Sequence, residues 1–124
     1  MEAFFKSILE QDSAPVVICD LDHRILYMNM AACDDHARFG GKALLGKNLL
    51  DCHNPKSREA IQKVLTWFAK DTANNRVHIF FSEKENKDLY MVALRDDAGK
   101  LIGYYEKHEC RTRDLTPFYE GVMK

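Results

Sequence analysis

Residues 76–108 hold three β-like runs in succession: Arg76–Ser82 (RVHIFFS), Asp88–Arg95 (DLYMVALR) and Leu101–His108 (LIGYYEKH). Their β-branched and aromatic residues suit strands, and side chains alternate between two faces. The separators, Glu83–Lys87 and Asp96–Lys100, are short and polar, and the second carries Gly99 late in the turn. That is hairpin chemistry, so the three runs form an antiparallel meander. Immediately upstream, Asn54-Pro55 is a helix start: Asn caps free N–H groups and Pro suits the first helical position. Ile61, Val64, Leu65 and Phe68 then fall at i, i+3, i+4 and i+7, the stripe of a helix buried on one side, and Asn74-Asn75 ends it.

Further outward, Val16–Cys19 and Arg24–Asn29 read as two more strands around a turn at Asp20–His23. Residues 30–39 read as a short helix broken at Gly40-Gly41, and 43–51 as another helical turn or two. Residues 1–12 put Phe4, Phe5, Ile8 and Leu9 on one face of an amphipathic cap helix, which Pro15 stops. In the tail, Thr116-Pro117 is a helix start, with Leu115, Phe118, Tyr119, Val122 and Met123 as its apolar positions. The fold class is α+β: a five-stranded antiparallel sheet with short helices and one long helix across one face. The division is a cap helix at 1–12, a sheet-and-helix domain at 13–110, and an exit segment at 111–124.

The chain has 124 residues, enough for one core and too few for two. Its 18 basic and 19 acidic residues leave a charge of −1, which argues against nucleic-acid or anionic-membrane binding. No apolar run approaches the roughly 20 residues of a membrane span, and the start lacks signal-peptide character, so the expected location is the cytoplasm. Cys19, Cys33, Cys52 and Cys110 form no C-x-x-C pair and read as reduced thiols.

Gly41–Asn48 (GKALLGKN) nearly matches a phosphate-binding loop, but Asn48 replaces the final hydroxyl and no buried strand precedes it. Cys33-x-x-His36, Cys52-His53 and His108-x-Cys110 are half-motifs on three different elements, so no metal site is expected. Cys52-His53 sits just before the long helix, where the helix dipole favours an anion. A thiol there is a candidate nucleophile and the imidazole a candidate ligand donor; the plainer reading is a polar cap made with Ser57. In the third run His78, Phe80 and Ser82 share one face, and Val77, Ile79 and Phe81 the other. Tyr90, Val92 and Leu94 alternate with Leu89, Met91 and Ala93; Leu101 and Tyr105 alternate with Ile102 and Tyr104. Both faces are apolar. One holds a core or cavity; the other needs the cap helix, a second copy, or both as cover.

Several of these stretches resemble the PAS sensor family. Asp20–Asn29 (DLDHRILYMN) is similar to its opening hairpin, and Leu44–Leu49 (LLGKNL) to the segment before its long helix. Asp97–Gly103 (DAGKLIG) is similar to its turn into the last strand, and Arg113–Thr116 (RDLT) to its exit motif. Cys52–Ser57 (CHNPKS) resembles a C-H-P-P-x-S variant found in PAS modules attached to hemerythrin-like domains, with Asn54 in place of the first Pro. The resemblance covers about residues 10–116.

That resemblance implies a sensor or interaction module rather than an enzyme, holding haem, flavin, a small organic ligand or nothing in its cavity. The cavity candidates are Cys52, His53, Ser57, His78, Phe80, Tyr90 and Tyr104. Haem iron through His53 is one option, although the family's haem-ligating His lies further along the helix, near Ala60. Flavin photochemistry is not supported, because Leu49 stands where photoactive members carry the reactive Cys. The expected partners are a second copy, through the cap helix and outer sheet face, and a signalling protein or fused effector at the exit. The alternatives are a ligand-free dimerisation module and a small enzyme using Cys52 or His53.

Overall fold

The meander of residues 76–108 forms with the expected pairing, and everything else is arranged around it. The computed structural model describes residues 1–123. In chain order the elements are α1 (Glu2–Gln11), β1 (Val17–Asp20), β2 (Ile25–Met28), α2 (Met30–Asp35), α3 (Pro55–Lys70), β3 (Arg76–Ser82), β4 (Lys87–Arg95) and β5 (Leu101–Cys110). Three 3-10 turns, at Ala37–Phe39, Gly41–Leu44 and Leu49–Cys52, link α2 to α3. The sheet order is β2-β1-β5-β4-β3, with every neighbour antiparallel.

β1 lies beside β5, so the first hairpin and the meander fuse into one sheet. Gly103 makes this possible. A Cβ there would stand 2.3 Å from the Cys19 carbonyl oxygen, so the two backbones meet where only glycine fits. The core lies on one face of the sheet, where Val17, Cys19, Ile25, Met28, Met91 and Tyr104 pack against Leu44, Leu49, Ile61 and Phe68. Burying each large apolar side chain contributes roughly 1.5–3 kcal/mol. Inside this core the Cys19 thiol is pushed up to about 12 by burial, which keeps it protonated and inert.

Two polar side chains fasten the helices. Asn29, fully buried, accepts from the Val16 and Ala32 N–H groups and donates to the Leu9 and Ala14 carbonyls. It thereby caps α2 and joins the end of α1 to the start of β1. Arg95 donates to the Phe68, Asp71, Asn74 and Gly99 carbonyls and to Asn75 Oδ1, satisfying orphan carbonyls at the end of α3.

α3 starts as expected, with Asn54 Oδ1 accepting from the Ser57 N–H at 2.8 Å and Pro55 in the first turn. It ends at Lys70 rather than at Asn74-Asn75, because Asp71 is extended and its carboxylate takes the Ala73 N–H. α2 stops at Asp35, and the rest of the expected helix is a 3-10 turn. No helix starts at Thr116-Pro117 among the described residues. Asp114 Oδ1 instead accepts from both the N–H and the hydroxyl of Thr116, and the apolar tail positions Leu115 and Phe118 are exposed. An amphipathic stripe with nothing to pack against does not hold a short helix.

Two bulges overturn the expected facing of side chains. The register of β3 on β4 slips between His78 and Phe80, so Ile79 is the extra residue. Phe80 then pairs with Leu89 on the inner face, while His78 pairs with Tyr90 on the outer face. A second slip lies between Leu94 and Arg95, opposite Ile102, so Leu101 packs on the core side with Tyr104 rather than with Tyr105.

Candidate functional site

A two-lobed groove runs between the helices and the inner face of the sheet. Its apolar lobe, about 250 Å³, is lined by Ala60, Ile61 and Val64 of α3, by Ile79 and Phe80 of β3, and by Met91, with His53 and Ser57 where α3 begins. Its polar lobe, about 470 Å³, is lined by Asp35, His36, Arg38 and Phe39 on one side and by Ser82, Lys84, Glu85, Lys87, Leu89 and His108 on the other. Phe80 and Glu106 border both lobes.

The register of β5 places Glu106 opposite Val17 and Met91, and His108 opposite Leu89, so both face inward. Among the described residues the Glu106 carboxyl makes no hydrogen bond and no ion pair. Burial pushes it well above the usual carboxylate range, against the pull of nearby His53 and His36. His108 Nδ1 is buried with no hydrogen-bond partner among the described residues. Burial, aided by the Lys87 charge, lowers its ring to about 4. His53 Nδ1 lies 2.9 Å from the Leu49 carbonyl, and His36 Nδ1 lies 3.0 Å from the Ala32 carbonyl. A carbonyl only accepts, so each ring carries its proton on Nδ1, and each neutral ring keeps a bare Nε2 as an acceptor.

His108 gives a test in pH. A histidine lowered on folding stabilises the fold fully above its ordinary value of 6.5, and that stability drains away as pH falls toward 4. The urea midpoint of the wild type is expected to drop over that window, by the equivalent of about 2 kcal/mol after solvent screening of the half-buried ring. His108→Phe is expected to flatten this part of the profile. Glu106 acts with the opposite sign: its raised value gives stability that is lost as pH rises above 4.5.

Three of the seven sequence candidates come together here: His53, Ser57 and Phe80. His78 and Tyr90 do not line the groove. The bulge at Ile79 puts His78 on the opposite face from Phe80, where Tyr90 already lies by alternation with Met91, their ring centroids 5.0 Å apart. Tyr104 faces inward but is buried behind the groove, its hydroxyl 2.8 Å from His23 Nδ1. Cys52 packs against the core from its 3-10 turn and is not part of the lining. No hydrogen bond joins it to His53, whose Nδ1 is engaged elsewhere, so a thiol–imidazole pair for nucleophilic catalysis is not assembled. Glu106, His108 and Lys87 were not anticipated. Their signal was present: Tyr104, Glu106 and His108 alternate, so polar groups interrupt the inner face of an apolar strand.

Haem does not fit these residues. His53 has a suitable free Nε2, yet the lobe beside it is smaller than the roughly 300 Å³ at which drug-sized sites begin, and a porphyrin needs more. Leu49 is buried in the core, which leaves no thiol for a flavin adduct. Among the described residues no three His, Cys, Asp or Glu side chains gather as a metal site, and no helix is long and apolar enough to cross a membrane.

On the outer face, His78 Nε2 lies 2.7 Å from Asp88 Oδ1, and Arg111 Nε donates to Asp88 Oδ2 at 2.7 Å. Arg111 and then His78 hold the Asp88 carboxyl below its usual range. Arg111, the first residue beyond β5, also donates its N–H to the Asn86 carbonyl and reaches the Tyr90 hydroxyl.

The fold has clear relatives among solved structures. A C-terminal domain from Streptococcus mutans matches with a TM-score of 0.67 and 24% identity, covering 86% of this chain and 81% of that one. The PAS domain of Bordetella pertussis BvgS matches at 0.63 and 17%, covering 90% and 87%. The Aer2 receptor from Vibrio cholerae, a dual PAS-heme oxygen sensor, matches at 0.55 and 18%, covering 79% and 94%. No curated protein matches the sequence. The model of one family, the PAS fold, matches residues 9–119, nearly the whole chain, and the protein belongs to that family.

Proposed function

We propose that this domain is a signalling module that binds a small organic molecule in the groove and passes its occupancy to the segment after β5. One observation carries the reading: the groove joins an apolar lobe to Glu106 and His108 Nδ1, two inward polar groups with no protein partner among the described residues. A filled core would leave neither space nor unpaired polar atoms. The route outward is short. Ile79 and Phe80 line the groove, the adjacent His78 holds Asp88, and Asp88 holds Arg111. A ligand that prefers one setting of the Ile79 bulge biases the Arg111 clamp to the same degree. Some relatives in this fold carry a ligand, as the name of the Vibrio cholerae haem sensor states.

The test is native mass spectrometry, with an absorption spectrum, of freshly purified chain beside Ala60→Trp, which fills the apolar lobe. The expected result is a colourless protein with a small added mass that the variant lacks. Bare mass in both proteins favours the second reading, a ligand-free dimerisation module.

Dimer formation is part of the proposal in either case. α1 contains no buried residue, and Phe4, Phe5 and Ile8 are 68%, 57% and 67% exposed. Tyr105, Val92 and Ile18 give the outer sheet face a matching apolar surface. Replacing both Phe4 and Phe5 with Ser is expected to convert a dimer to a monomer in light scattering. A double variant that stays dimeric removes α1 from the interface.

A further inference from the structure

We propose that the groove selects an uncharged small molecule: an apolar ring or short chain in the Ile61–Met91 lobe, and a head with a hydrogen-bond donor beside an acceptor, paired with Glu106 and His108. This rests on the groove being a ligand site and names what it takes. Glu106 and His108 are two residues apart on one face of β5, so their side chains stand roughly 7 Å apart along the groove wall. Glu106 sits where the lobes join, within reach of a head whose body lies against Ile61, Phe80 and Met91.

The charges around the junction argue for a neutral head. No cation pairs with Glu106 among the described residues. Lys87 is bound to Glu85 at 2.7 Å, Arg38 is exposed and stacked on Phe39, and Lys84 is exposed at the rim. His36 and Asp35 at the end of α2, and His53 before α3, complete the titratable surroundings. Desolvation with no cation alongside pushes the Glu106 carboxyl toward its acid form, and burial lowers His108 toward its neutral ring. A carboxylic acid offers an O–H donor and a C=O acceptor side by side. The complement is an amide-like edge, with the spare polar atom of the head meeting His108 Nδ1. A cationic head would lie beside Lys87. An anionic head would place a second charge where burial already disfavours the first.

Three probes with one ring and different heads decide this: benzamide, benzoate and benzylamine, titrated calorimetrically into the full chain at pH 7. A lobe of about 250 Å³ has room for the ring, since a cavity of roughly 150 Å³ admits benzene. Benzamide is expected to bind about tenfold or more tighter than either charged probe. Glu106→Gln, which keeps a neutral donor and acceptor, is expected to hold benzamide within about threefold, and Glu106→Leu to lose it. Tightest binding by benzylamine, abolished in Glu106→Gln, overturns the proposal in favour of a carboxylate that holds cations. Tightest binding by benzoate overturns it as well. If no probe binds while native mass spectrometry finds an adduct, the head-group assignment fails and the groove reading stands. If neither is seen, the groove reading itself fails.

Discussion

Replacing Asn29 with leucine is expected to lower the folding free energy by about 4 kcal/mol, close to the limit a domain of this size survives. The side chain has no exposed surface and bonds five backbone groups from three segments: Val16 and Ala32 N–H, and the Leu9, Asp12 and Ala14 carbonyls. Leucine matches the volume but orphans the Val16 and Ala32 N–H groups and the Ala14 carbonyl, while the Leu9 carbonyl keeps the Asp12 N–H. Each buried orphan costs about 1–3 kcal/mol, and water reaching the half-buried Ala14 carbonyl recovers part of that. Asn29→Asp separates the two halves of the role. It keeps the acceptor for Val16 and Ala32 and loses the donor to Leu9 and Ala14. Urea unfolding is expected to give Asp a smaller loss than Leu. Amide exchange is expected to place the Asp damage at the end of α1. Equal losses, or a loss under about 1 kcal/mol for Leu, would show that these bonds are not holding the segments together.

Gly103→Ala is the second large effect. The added methyl falls 2.3 Å from the Cys19 carbonyl oxygen and 3.5 Å from Asp20 Cα, both backbone atoms. No rotamer relieves such a clash, so β1 and β5 have to part locally, at an expected cost of about 3 kcal/mol or more. Gly46→Ala is the control. Gly46 has φ +83 but nothing within 4 Å of the added Cβ, so only backbone strain remains, about 1 kcal/mol. If the two variants unfold at the same urea concentration, the close approach of β1 and β5 is not what Gly103 serves.

The elements legible in the sequence were those whose signals are local. Asn54-Pro55 and the Ile61–Phe68 stripe state α3 by capping and period alone, and the meander follows from polar turns between β-rich runs. Facing was legible only while the period of two held. Leu89 and Met91 face the groove as alternation requires, whereas the bulges at Ile79 and Ile102 each shift the phase by one. Nothing in RVHIFFS marks Ile79 as the extra residue, and that one slip moved His78 to the outer surface. Tyr90 went there by plain alternation, where its pairing with Val92 and Leu94 already put it. His53 and Ser57 were found because a helix start is visible and its side chains cluster near it. Glu106 was overlooked because a charge within a strand reads as solvent-facing until the elements across that face are known, and here α3 and the end of α2 stand over it. The Asn54-Pro55 cap was legible for the same reason that the Thr116-Pro117 start misled: a local signal sets where a helix can begin, and packing decides whether it forms.

The most direct measurement of the central claim is a two-dimensional amide NMR titration of the full chain with benzamide. The expected shifts fall on Ile61, Val64, Phe80, Met91, Glu106 and His108, and continue through His78 and Asp88 to the Arg111 amide, while Phe4, Phe5 and Ile8 stay still. Shifts confined to α1 and the outer sheet face, with the groove unmoved, would contradict it.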